Sequence, residues 1–194
     1  MKHFSILAAL LLAACGQGSS QAQKDLPAPA PGNSAAPRTS GAALVNADFE
    51  QAGADDDVPG WFKTQHAGPS SYLMRIDPDE PYAGHGSFHM TRTLPQVYGS
   101  LTQTVDARPY AGKTIEVSAM VKSKGVGPGG WKLFVDAYLP GTLVYSPGMT
   151  GDTAWQKSSV RLKIPAIAQR LSVGVTLLDA GDGWMDNVEL KVVD

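Results

Sequence analysis

From Leu44 onward the chain alternates apolar and polar residues with a period of two, and Gly, Pro, Asp or Asn interrupts the alternation roughly every ten residues. The clearest stretch is 114–122, where Ile115, Val117, Ala119 and Val121 occupy the odd positions and mostly polar residues the even ones. Successive side chains of a strand point to opposite faces, so this pattern predicts a strand with one face on a core. It recurs with Val160, Leu162 and Ile164, with Leu171, Val173, Val175 and Leu177, and with Val188, Leu190 and Val192. Segments 44–49, 61–66, 72–77, 86–93, 99–106 and 131–139 bring the count to about ten short strands. Helical periodicity is hard to find, and no internal repeat of solenoid or propeller length stands out. The predicted class is all-β, with two packed antiparallel sheets forming a sandwich.

Composition narrows the partners. With 16 Lys plus Arg against 18 Asp plus Glu, the formal charge is −2, which leaves no basic footprint for a phosphate backbone and excludes nucleic acid as an expected partner. A single cysteine, Cys15, rules out an internal disulfide and any multi-cysteine zinc site. The 21 Gly and 14 Pro fit a turn-rich β protein.

The position of that cysteine is informative. Lys2 and His3 precede an apolar stretch from Phe4 to Ala14, too short for a bilayer span but suited to an export signal. It closes on Leu12-Ala13-Ala14-Cys15, which resembles the lipobox of bacterial lipoproteins. The resemblance implies removal of residues 1–14, lipidation of Cys15 and anchoring to a bilayer by more than one acyl chain. Gly16 after the cysteine implies the outer membrane of a two-membrane envelope. Residues 15–42, rich in Ala, Pro, Ser and Gly, read as a flexible tether, and 43–194 as the sandwich domain.

One strand departs from simple alternation. Leu133, Val135, Ala137 and Leu139 make a core face, yet Phe134, Asp136 and Tyr138 occupy the other, so a further protein layer covers that face or a ligand groove lies there. Several short motifs then follow in a suggestive order. Val45-Asn46-Ala47-Asp48-Phe49-Glu50 with Pro59-Gly60-Trp61, then Ala83-Gly84-His85-Gly86-Ser87-Phe88, and Gly183-Trp184-Met185-Asp186-Asn187-Val188 resemble the galactose-binding-like β-sandwich, most closely its jelly-roll carbohydrate-binding modules. That resemblance spans about 44–193 and implies a jelly roll, a structural calcium held by Glu50 and Asp186, and sugar recognition by stacked aromatic rings. Trp61, Trp155 and Trp184 read as packing residues. The remaining candidates for a glycan groove are Trp131, Tyr138, Tyr145 and Tyr98, with Asp136 and Arg92 as polar partners.

Other chemistry lacks support in the residues. Gly125-Val126-Gly127-Pro128-Gly129-Gly130 satisfies G-x-G-x-x-G, but a strand follows it rather than a helix, so it reads as a flexible inter-strand loop. His85 and His89, four apart on a strand, stand about 13 Å from one another and cannot share a metal. The Asp55-Asp56-Asp57 run reads as a solvated turn, and there is no G-x-S-x-G elbow. The expectation is a non-catalytic envelope lipoprotein that binds carbohydrate; the alternative is an accessory lipoprotein that binds an envelope protein, with a small glycosidase or lyase ranked below both.

Overall fold

The computed structural model describes residues 44–66 and 70–194. The leader, Cys15 and the tether therefore lie outside the described residues. Among these, regular structure is almost wholly strand: β1 (Phe62–Gln65), β2 (Tyr72–Asp77), β3 (Ser87–Arg92), β4 (Gly99–Asp106), β5 (Thr114–Asp136), β6 (Val144–Tyr145), β7 (Met149–Lys163), β8 (Arg170–Leu177) and β9 (Asp182–Val192). Two three-residue 3-10 turns, Ala54–Asp56 and Arg108–Tyr110, complete it. No helix among the described residues is long and apolar enough to cross a membrane.

All pairings are antiparallel, and β5 is the hinge of the topology. Its first part, 114–124, pairs with β9 on one side and β7 on the other, while its last part, 131–136, pairs with β8 and β6. The hydrogen-bonded path β1-β4-β8-β5-β9-β3-β2 thus folds at β5 into two leaves. The first sheet runs β2-β3-β9-β5-β7 and the second β1-β4-β8-β5-β6. This is the predicted antiparallel sandwich, a jelly roll.

The core follows from strand parity. Ile115, Val117, Ala119 and Val121 of β5 are 0–1% exposed, as are Leu171, Val173, Val175 and Leu177 of β8. Phe88 of β3 stacks on Trp131 of β5, ring centroids 6.4 Å apart at 19°, which joins one sheet to the other. Gly183 of β9 lies directly against that indole: a β-carbon there would meet the ring at 2.4 Å.

Two expected elements differ. Segment 44–49 is a turn, because Asn46 and Phe49 take left-handed backbone conformations (φ 47° and 51°). The Asn46 side chain closes it, donating to Gln51 O and accepting from Gln51 N. Segment 125–130 is not a free loop but part of β5. Val126 is in register with Gly151, and Gly125 N donates to Asp152 Oδ1, so β7 carries the ladder across from one sheet to the other.

Candidate functional site

On the outer face of the second sheet, aromatic residues stand beside rows of Ser and Thr, of which Thr102 and Thr104 reach solvent while Ser100, Ser172 and Thr176 are buried. On β4, β8 and the end of β5 the even-numbered side chains point away from the core. Register places them in rows: Ser100, Thr176 and Lys132; Thr102, Gly174 and Phe134; Thr104, Ser172 and Asp136. Phe62 extends the middle row on β1 and Tyr145 on β6. The floor is therefore hydroxyl-rich, with Ser100 bonded to Thr176 (3.0 Å) and Thr104 to Ser172 (2.9 Å).

The middle row carries the aromatic surface. Gly174 has no side chain because the Phe134 ring occupies that space; a β-carbon would meet the ring at 3.0 Å and Leu101 O at 2.1 Å. Phe134 and Tyr145 lie 6.2 Å apart at 56°, Tyr145 is 47% exposed, and Phe62 is 80% exposed across the floor. Tyr138 adds a fourth ring, anchored through its hydroxyl on Ser172 Oγ at 2.5 Å, with the Arg170 guanidinium 4.5 Å above it. Aromatic walls over hydroxyl donors and acceptors can take a flat, hydroxylated, partly apolar molecule.

The expected site residues divide. Tyr138, Tyr145 and Asp136 share this face. Asp136 Oδ1, however, accepts Tyr138 N (2.9 Å) and Thr142 Oγ1 (2.8 Å), so it holds the 137–142 turn. Trp131 is a correction: at 1% exposure, stacked on Phe88 and donating Nε1–H to Trp184 O, it is core and cannot meet a ligand. Its parity with Leu133 and Val135 carries that signal in the sequence. Arg92 is a second correction. It sits on β3 in the first sheet, where it pairs with Asp179 at 3.1 Å, because the long-range order of strands moves it off this face. Tyr98 precedes β4, edge-on to His66. Missed by sequence reasoning were Phe62, Lys132 and Arg170, each of which has the outward parity of its strand; Phe134 was legible only as part of a second face.

On the outer face of the first sheet, Trp155 packs against half-exposed Tyr82, and the residues around Trp184 are taken by one another. His89 stacks on Trp184 at 4.6 Å, Lys122 lies 5.1 Å from the same indole, and Lys122 pairs with Glu80. Trp184 Nε1 donates to Asp77 and His89 Nε2 lies 2.9 Å from Asp182. Burial opposes ionisation of Asp77, but the bonds from Trp184 and Asp79 N, with the charges of His89 and Arg75, hold its pKa below the ordinary value. Trp184 and His89 are 6% and 7% exposed, so this is a closed network.

Glu50 and Asp186 clamp one loop. Asp186, fully buried, accepts Tyr82 N and Ala83 N (both 3.1 Å) on Oδ2 and Asn187 N on Oδ1; Glu50 accepts His85 N at 2.8 Å. Calcium requires six or more oxygen ligands, whereas N–H donors converge here. The Asp79 backbone N–H donates to Asp77, Glu80 pairs with Lys122, and no group of three or more His, Cys, Asp or Glu fit for a metal forms among the described residues. The donor set as arranged does not fit a hard cation.

The clamp has a pH signature. Burial, reinforced by the Glu50 charge, pushes the Asp186 pKa from 3.8 up to about 6, against the bonds from Ala83, Asn187 and Tyr82. Folding then favours protonated Asp186. Its contribution is fully present below about pH 4 and is lost as pH rises through about 6, on the order of 3 kcal/mol in all. Urea unfolding in EDTA at pH 4.5 and 7 is expected to show this loss in the native chain and not in Asp186→Asn. Equal pH slopes in the two would contradict it.

No family model matches this chain. Among curated proteins it is 28% identical over 154 residues to the uncharacterized HTH-type transcriptional regulator YbfP of Bacillus subtilis (strain 168), covering 75% of this chain. The match takes in 52% of YbfP, so the chain spans about half the length of that relative. Solved structures share the fold at low identity. The CBM22-1 xylan-binding domain of Paenibacillus barcinonensis Xyn10C superposes with a TM-score of 0.55 at 15% identity, covering 76% of this chain and 92% of that domain. TmCBM61, solved with β-1,4-galactotriose, gives 0.55 at 16%, covering 77% and 97%. The enzymatically active domain of bacteriophage CBA120 tailspike protein 4 also gives 0.55, at 14%, but only 21% of that chain is covered.

Proposed function

We propose that this chain is a non-catalytic glycan-binding lipoprotein whose ligand lies across the outer face of the second sheet. The observation that carries this is the middle row: part-exposed Phe134 lies over Gly174 beside half-exposed Tyr145, and Thr102 and Thr104 reach solvent on the strand across from it. Pyranose C–H faces stack on such rings while hydroxyls exchange hydrogen bonds with the floor. Fold neighbours described as binding xylan or holding galactotriose support the same use of this architecture. Fold alone does not fix function. A non-catalytic role is supported by the acids of the face, since Asp136 holds a turn and Asp106 is paired with Arg108. The sequence Leu12-Ala13-Ala14-Cys15 supports lipid attachment at Cys15 and an envelope location; Cys15→Ser is expected to move the chain from the membrane pellet to the soluble fraction.

Calorimetry against a panel of plant, algal and bacterial-envelope polysaccharides tests the ligand class. Saturable binding to at least one glycan is expected, and silence across the panel from a chain with an intact thermal transition would overturn it. A second reading, a protein-binding accessory lipoprotein, is favoured by exposed Leu94 (54%) and Val97 (60%) in the loop before β4. One protein reproducibly cross-linked in cells, with loss on Leu94→Ser plus Val97→Ser, would support it.

A further inference from the structure

The charges on this face point to a more specific ligand. Arg170 begins β8, on the outward parity of Ser172 and Gly174, and its guanidinium is fixed over Tyr138 at 4.5 Å from the ring centroid. Opposite it in register stands Asp106, but both oxygens of that carboxylate are taken by Arg108 (2.9 and 2.6 Å). Arg170 is left without an ion pair among the described residues. It borders an open depression of about 380 Å³ lined by Thr104, Val105, Asp106, Arg108, Gln169 and Arg170 itself. At the other end of the floor Lys132, opposite Thr176, also lacks an ion pair among the described residues, its stem lying along Gly148. Arg170 and Thr176 are six residues apart, about 20 Å along the strand. The aromatic row lies between the two cations. The face thus carries a cation without an ion pair at each end, on a chain whose formal charge is −2, with the Asp106–Arg108 pair and the turn-holding Asp136 beside Arg170.

We propose that the glycan taken by this face is acidic, with the Arg170 guanidinium and the Lys132 ammonium pairing with oxyanions of an oligosaccharide, either uronate carboxylates or sulfates. This rests on the glycan reading above and narrows it. A guanidinium forks onto a carboxylate or sulfate with two parallel N–H bonds, and Tyr138 holds this one in place before ligand arrives, which reduces the ordering cost.

The probes are oligogalacturonate, oligoalginate and a sulfated oligosaccharide, each beside its charge-free counterpart, the methyl ester or the desulfated form. Calorimetry on the full chain is expected to show at least one acidic form binding about tenfold or more tightly than its counterpart. Arg170→Ala removes most of that preference, Lys132→Ala removes part, and raised salt weakens it. Binding of the uronates alone or of the sulfated sugar alone upholds the inference and identifies the oxyanion. Neutral counterparts that bind equally well, or a preference that survives both substitutions, overturn the acidic specificity and leave glycan binding standing. No binding of charged or neutral forms, here and across the polysaccharide panel, by a chain with an intact thermal transition overturns both.

Discussion

Trp131→Ala is expected to lower the unfolding free energy by about 4 kcal/mol, the range found when a large aromatic is removed from a packed core. The indole is 1% exposed, stacks on Phe88, lies against Gly183 and donates to Trp184 O, so truncation opens a cavity between the sheets and removes a buried hydrogen bond. Urea unfolding checks this directly. Trp131→Phe keeps most of the packing and is expected to lose much less. A change below about 0.5 kcal/mol in Trp131→Ala, the size of an ordinary surface substitution, would contradict the placement of this ring in the core.

Phe134→Ala combined with Tyr145→Ala is expected to weaken glycan affinity at least about a hundredfold, since ring stacking at two positions is removed. Tyr145 is half exposed and Phe134 lies on the solvent side of Gly174, so the cost to stability stays below about 2 kcal/mol. Calorimetry and urea unfolding on the same sample separate the two effects. Affinity that survives the double substitution would remove the middle row from the site.

Much of this architecture is written in the residue pattern. The alternation in 114–121 maps onto the buried and outward faces of β5 because only one of its faces meets the core. Positions 171–177 read the same way, although both faces of that stretch are buried: Phe134 lies over Gly174 and Tyr138 is bonded to Ser172. The turn at 44–49 was not legible as such, since its apolar residues match a strand and only the left-handed backbone at Asn46 and Phe49 forbids one. Which aromatic faces a ligand was half legible. Parity places Phe134 outward and Trp131 inward, but bringing Phe62 and Tyr145 into one row needs the strand order β1-β4-β8-β5-β6, and no local signal encodes it. The same holds for Arg92, whose pairing with Asp179 joins segments 87 residues apart in sequence.

The claim that the second sheet binds glycan is tested most directly by following backbone amide resonances while the tightest-binding glycan of the panel is titrated in. Shifts are expected in 100–104, 132–136 and 172–176, the segments that form the hydroxyl floor and its aromatic row. Shifts confined to the first sheet, around Lys122, Trp155 and Trp184, would contradict it.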